Sequence, residues 1–490
     1  MGQPLPFAQG FYVSESRPIS SQECINMYPN IPQTGTVTRQ SLFQTPGIIE
    51  IANAGVNEFN RGVHVFNGIP YAVNGNNLYR IDRTIDAFGN ASYNAVQVNG
   101  GVPLPGQERV IMSDNGTGGG QICIIIPELN TQFNGYIYTE LGGLVQISDV
   151  DFDGPVNGLV YVDGFFLFTK TDGNKFFISQ LRDGLSYIAT DFADAEVDPD
   201  PIRAPFVLRN EVLIFGSETF EPFQNVGGAG FPFTRIEGAV QDKGISSNNS
   251  IIELDGNIAW VGSADGEQPA IWLSNGGKPQ KISTTAIDNQ LRLYSDTTIA
   301  NAFAMRYSQS GALFGIWTFP NERTYVYDAV TQLWHTREST INEGQQPWRV
   351  SDIREAYGEF IVGDLRSNLF GILSRETYRE FDQIIKRRFI LPPIDNGGEP
   401  FFNDSVEMVM ETGTSNTVDP GQNAKVLMFY SDNGGRSFGQ SIPRNIGLTG
   451  EFEQRVIWDQ LGVAQRSRMY GFEFAEDAKY SIYKIEANVS

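Results

Sequence analysis

Gly62-Val63-His64-Val65-Phe66-Asn67-Gly68-Ile69-Pro70-Tyr71-Ala72-Val73-Asn74-Gly75-Asn76-Asn77-Leu78-Tyr79-Arg80-Ile81 alternates short β-rich runs with turn residues, and reads as three strands on two tight hairpins. The turns Asn67-Gly68 and Asn74-Gly75-Asn76 decide the reading, because a tight hairpin needs positive φ at its centre and Gly and Asn tolerate that conformation. The same design returns at Gly158-Leu159-Val160-Tyr161-Val162. There Asp163-Gly164 is the first turn, Phe165 to Thr169 the second run, Asp172-Gly173-Asn174 the second turn and Lys175-Phe176-Phe177-Ile178-Ser179 the third run. Further starts fall near Val110, Pro205, Ser250, Ala302 and Trp348, so that successive units begin 45 to 52 residues apart.

That spacing is the period of a four-stranded propeller blade, whose apolar face only a neighbouring blade can cover, so the units close into a ring. The expectation is an all-β chain with a β-propeller of about six to seven blades, seven by the count of starts and six as the next choice. The competing reading is a chain of unrelated hairpins in ordinary β-sandwiches. Composition agrees with β structure: 52 Gly, 12% aromatic and only 19% charged residues in a chain of 490.

The propeller is assigned to residues 61–380, preceded by an N-terminal arm over 1–60 and followed by a C-terminal antiparallel β-sandwich over 381–490. The first segment is rich in Pro, Gln, Asn and Thr and lacks the repeat, which suggests an extended arm or cap that docks on a neighbour. Ser374 to Arg388 could be helical, Leu391 to Gly398 looks like a linker, and strands are expected at Val406–Met410, Val426–Tyr430, Arg455–Trp458, Met469–Phe474 and Tyr480–Ile485.

Charge limits the function. The chain carries 57 acidic and 35 basic residues, net −22, spread without a long acidic run, and such a surface repels nucleic acid. Its one tight basic cluster, Lys386-Arg387-Arg388, reads as a solvated face. Cys24 and Cys123 form no CxxC pair, so neither a disulfide framework nor a zinc site is suggested and a reducing, cytoplasmic assembly environment fits. No export or lipidation pattern is expected at Met1 to Pro6, and the longest apolar runs are strand-sized, so no membrane span is expected.

Candidate sites are few. Asp149-Val150-Asp151-Phe152-Asp153-Gly154 matches the start of a calcium loop, in which Asp149, Asp151 and Asp153 would converge on the cation, but Val160 stands where the closing acid belongs. An acidic turn between blades is the alternative, and the assignment is no metal and no cofactor. Ser431-Asp432-Asn433-Gly434-Gly435-Arg436-Ser437-Phe438 is reminiscent of a sialidase Asp-box hairpin, which is a structural element. A catalytic triad would have to use His64, inside a predicted strand, or His335, at a strand end beside Leu333-Trp334; neither has a nucleophile-elbow context. No catalytic residue is assigned.

Across about 450 positions, in order, the chain resembles a family: the packaged-DNA stabilisation proteins that form the tail hub, or nozzle, of short-tailed, podovirus-type bacteriophages. The residues that carry the likeness are Ile25-Asn26-Met27-Tyr28-Pro29, Thr45-Pro46-Gly47-Ile48, Arg61-Gly62-Val63, Val212 to Phe223, Lys243-Gly244-Ile245, Tyr325 to Asp328 with Trp334, Gly363-Asp364, Leu427 to Gly439, Arg455 to Trp458 and Leu461-Gly462. The resemblance implies a structural virion protein, not an enzyme. It implies a homo-oligomeric ring, a hexamer, below the portal and the head-to-tail adaptor. That ring would continue the DNA channel, help retain packaged genomic DNA without sequence-specific binding, and dock a tail needle or plug and a tailspike or fibre. It also implies assembly in the host bacterial cytoplasm. A carbohydrate-binding or glycoside-cleaving propeller is the reading from a different class, favoured by the aromatics and acids.

Overall fold

A computed structural model describes residues 3–32, 38–195, 200–228, 230–342, 344–414 and 424–490. Among these, five separate four-stranded antiparallel sheets span 60–97, 111–146, 156–194, 202–235 and 252–281, and a sixth set of four strands spans 303–341. A seventh consists of Val350–Ala356, Glu359–Asp364 and Leu369–Ser374, completed on its outer edge by Gly47–Asn53 from the N-terminal segment. These are blades 1 to 7. Their first strands begin within three residues of the starts expected from the sequence.

The ring closes through seven apolar seams, one between each neighbouring pair. Phe66, Tyr71 and Leu78 of blade 1 meet Ile122, Ile124 and Tyr138 of blade 2, and Trp317 and Trp334 of blade 6 meet Val261 and Ile271 of blade 5. The last seam joins Ile361 and Phe370 of blade 7 to Val63, Ala72 and Ile81 of blade 1. The chain folds this way because strands buried on both faces present apolar residues to two neighbours at once. Asn67, Asp163 and Asp255 adopt positive φ of 53°, 50° and 52° in the first hairpin of their blades, as the Asn-Gly and Asp-Gly pairs demand.

Beyond the propeller lie two packed sheets. One contains Phe401–Met410, Val456–Asp459 and Ser481–Val489; the other contains Arg387–Ile390, Lys425–Ser431, Ile442–Asn445 and Ser467–Phe474. Trp458, Tyr470, Phe472, Phe474 and Tyr480 fill the space between them. All five strands expected here are present.

Two expectations need correction. Ser374 to Arg388 is not helical: it forms the short strands Arg379–Glu380 and Gln383–Ile384 and the start of Arg387–Ile390. Phe381 and Asp382 take φ of 45° and 67°, which turns the chain and breaks any helical run. The N-terminal segment is not a free extended arm: over its described residues it is threaded through the sheets of its own chain. Gln3–Pro4 pairs with the C-terminal strand, Met27–Asn30 and Ser41–Gln44 form a hairpin on that same sandwich sheet, and Gly47–Asn53 closes blade 7. Each segment supplies hydrogen bonds to a sheet edge that would otherwise be open.

Candidate functional site

The site with the most unusual chemistry is the junction between propeller and sandwich. The strand Cys24–Ile25 lies parallel to Thr336 of blade 6 on one side and antiparallel to Arg388 and Phe389 on the other, so one sheet runs from blade 6 into the sandwich. Asn26 ends the stitch at φ 54° and is 1% exposed. Its Nδ2 donates to the carbonyls of Glu338 at 2.8 Å and Lys386 at 2.7 Å, and its Oδ1 accepts from the Glu338 amide at 3.0 Å. A left-handed residue whose side chain bonds backbone is a role Asn fills and most residues cannot.

Buried ions surround the stitch. Glu380 accepts from Ser339 Oγ at 2.6 Å and Trp348 Nε1 at 2.7 Å, and burial pushes its carboxyl upward. Arg349 forks onto Asp364 through Nε at 2.9 Å and through Nη2. Arg337 sits against the rings of Trp348, Tyr307 and Phe314 at 4.6, 5.0 and 5.6 Å and donates to the Tyr307 hydroxyl. His335 lies fully buried between Tyr28 and Phe314; burial first, then the Arg337 charge, hold its pKa well below the usual value. Both its ring nitrogens lack a hydrogen-bond partner, so it is a packing residue and not a base.

The basic triplet is not the solvated face expected from sequence. Arg387 is fully buried, donates through Nη1 to the Ile385 carbonyl at 3.0 Å, and burial pushes its pKa down to about 10. Arg388 pairs with Glu23 at 3.4 Å and covers the Phe429 ring at 4.9 Å. Strand alternation sends one arginine inward, which a charge count cannot detect.

The other sequence candidates are structural in their contacts. Asp149 accepts from the Asp151 and Tyr187 amides at 3.0 and 3.1 Å, while Asp153 bridges Lys170 and Lys175, both at 2.6 Å. Phe152 between them is buried against Phe168, Phe177 and Tyr187. The Asp149 and Asp153 carboxylates are therefore used by separate partners, and no metal-sized group of His, Cys, Asp or Glu occurs among the described residues. The Asp-box-like hairpin is pinned by Asp432 on Arg468 at 2.6 and 2.7 Å. His64 Nε2 meets Asp114 Oδ2 at 2.7 Å across the inner strands of blades 1 and 2. Cys24 and Cys123 are both free and buried.

Two further surfaces had no motif to announce them. The turn between the third and fourth strands carries an exposed apolar residue in five blades: Phe88, Leu141, Leu181, Val226 and Val330. These turns share a face with the first hairpins, since the Arg182 amide donates to the Gly164 carbonyl at 2.7 Å and the Ala329 amide to Leu313 at 2.9 Å. On the opposite face, a cavity of about 310 Å³ opens at the axis between blades 1, 2, 6 and 7. No helix among the described residues is long and apolar enough to cross a membrane.

Comparison with known proteins followed the same division of the chain. Residues 3–378 match the family model described as bacteriophage P22 Gp10, beta-propeller, and residues 386–490 match the one described as bacteriophage P22 Gp10, beta-sandwich. No curated protein sequence matches. Among solved structures, the computationally designed Ika8 protein aligns over 66% of this chain and 99% of its own at 9% identity and a TM-score of 0.38. BamB from Moraxella catarrhalis aligns over 72% and 98% at 9% identity and a TM-score of 0.36.

Proposed function

The chain belongs to the bacteriophage P22 Gp10 family of tail hub and DNA-stabilisation proteins of podoviruses, and from that premise we propose how it works as a structural part of the tail. It is a subunit of a closed ring, a hexamer, seated below the portal and its adaptor and surrounding the path of the genomic DNA. The observation that carries this reading is the extent of the match, 3–378 and 386–490, which leaves almost nothing of the chain for another activity.

The junction supports it. A ring that holds back packaged DNA must pass load from one domain to the other without shearing. The Cys24–Ile25 stitch joins blade 6 to the sandwich by backbone hydrogen bonds on both sides. The turn face, with its five apolar tips, is the surface we assign to docking of other tail proteins, a needle or plug and a tailspike or fibre. The net charge of −22 gives the DNA path low friction, because acidic walls repel phosphates and do not compete for them. Assembly takes place in the host cytoplasm, before the virion leaves the cell.

The test is the mass of the purified full chain by size exclusion, with negative-stain images in the presence of its adaptor. Rings on the adaptor are expected. A chain that stays monomeric with the adaptor, or a ring that holds duplex DNA tightly at physiological salt, contradicts the reading.

A further inference from the structure

The outer edge of blade 3 is unlike those of the other blades. Its fourth strand, Asp183–Asp194, has 12 residues, against 7, 4, 3 and 2 in blades 1, 2, 4 and 5. The edges of blades 6 and 7 are covered by the chain itself, through Cys24–Ile25 and Arg379–Glu380, whereas among the described residues nothing pairs with the far side of Asp183–Asp194. Tyr187 stands opposite Ser179 and Phe192 opposite Phe177, so residues 188–191 bulge outward. Leu185, Ile188 and Phe192 are exposed on this strand, and Val150, brought beside it by the Asp149 bond to the Tyr187 amide, is 82% exposed. The strand holds no Lys, Arg or Pro, the residues that commonly protect an open edge. A long open edge carrying a cluster of exposed apolar side chains is an interaction surface.

A second apolar surface lies across the molecule. In a ring of seven blades, blade 3 is opposite the boundary of blades 6 and 7, where the sandwich is joined. On that side Tyr28, Phe43, Pro46, Met410, Phe452 and Tyr483 line a groove of about 940 Å³, and Phe452 at its rim is 73% exposed. One surface is a convex bulge and the other a concavity. Their charges are also of opposite sign. The blade 3 edge strand carries Asp183, Asp191 and Asp194 and no base, while the groove lining carries Arg375 in addition to the Lys479–Glu411 pair at 2.9 Å.

Taking the ring reading as premise, we propose that these two surfaces are partners in neighbouring copies: the blade 3 edge of one chain, led by Ile188 and Val150, seats in the sandwich groove of the next. A cyclic assembly joins its copies head to tail through two different patches on each chain, and a ring needs them on well-separated sides. The blade 3 edge and the groove meet both conditions. A second copy is the occupant that the page favours, because one chain supplies both the acidic bulge and the groove with its extra arginine.

Full-length Ile188→Asp and Phe452→Asp, both at exposed positions, test it by light scattering under the conditions in which the wild type forms its ring. Each variant alone is expected to associate roughly 30-fold more weakly than wild type, the worth of one interface anchor, with an unchanged melting temperature. Mixed in equal amounts, they should form heterodimers and nothing larger, because the intact groove of Ile188→Asp accepts the intact edge of Phe452→Asp. A misfolded variant could not complement in this way. A wild-type chain that stays monomeric, alone and with its adaptor, overturns the ring reading and this pairing with it. Wild-type rings together with rings from either variant, or variants that do not complement each other, overturn the pairing alone and leave the two surfaces to other tail proteins.

Discussion

Replacing Asn26 by Gly should loosen the junction without touching either core. The substitution keeps the backbone free to hold φ at 54°, so it removes only the side chain. Three hydrogen bonds go with it, at 2.7, 2.8 and 3.0 Å, linking Lys386 of the sandwich to Glu338 of blade 6. At about 1 kcal/mol each, the loss is about 3 kcal/mol for opening the stitch. Asn26→Ala should cost about 1 kcal/mol more, because an alanine in the left-handed region carries steric strain. Global unfolding of a two-part chain is a poor meter of a local change, so the measurement is native-state amide exchange. The Glu338 amide should exchange roughly 100-fold faster in Asn26→Gly, from tenfold per 1.4 kcal/mol. The strand Gln121–Ile125 in blade 2, far from the stitch, should be unaffected. Acceleration below about tenfold, or equal acceleration in blade 2, refutes the claim that Asn26 ties the two parts locally.

The buried His335 sets a pH dependence. Its folded pKa lies well below 6.5, the unfolded value, so the stability it permits is complete above that pH and falls by about 1.4 kcal/mol per unit as the pH drops below it. Glu380, raised by burial, acts in the opposite sense, losing stability as pH rises through its own range. Comparing wild type with His335→Gln at pH 7 and 5.5 isolates the histidine; an unchanged difference in denaturation midpoints sinks the assignment. Gly158→Val should cost about 1–3 kcal/mol, since a Cβ there overlaps Pro205 of the next blade and the Thr169 hydroxyl, whereas Gly118→Ala, with open space around it, should be neutral. Equal denaturation midpoints for the two variants would remove the tight blade 3 to blade 4 seam. Asp153→Asn should lower stability by no more than about 1 kcal/mol, because Lys170 and Lys175 are partly exposed partners. A chelator should leave the melting temperature unchanged, and a chelator-induced drop would revive the calcium reading.

What could be read from the sequence was local. Asn67-Gly68 and Asp163-Gly164 name their own hairpins, because the conformation they adopt is a property of two adjacent residues, and seven such units set the blade count. Other hairpins were fainter: Arg209, Ser310 and Tyr357 take φ of 58°, 52° and 59° at the first turn position, where no Asn or Asp stands, and only Asn210, Gly311 and Gly358 after them and the surrounding period mark the turns. Ser374 to Arg388 was misread for the related reason that its strands pair with Ile48, Cys24 and Phe472, partners that no local window contains. The axial cavity gave no signal at all, since its lining is gathered from widely separated parts of the sequence.

The N-terminal segment is where this limit bears on function. Asn26 bonds to residues 312 and 360 positions away, and Gly47–Asn53 closes the seventh blade against Leu369–Ser374. A segment with no repeat and no helical period looked like an arm because, apart from two local strand pairs, its order is supplied by distant edges. Those edges exist only once blades 6 and 7 and the sandwich have formed, so closing the seventh blade and locking the junction are coupled. A structural tail protein benefits from that coupling, because a chain whose propeller is incomplete also lacks a locked junction to its sandwich.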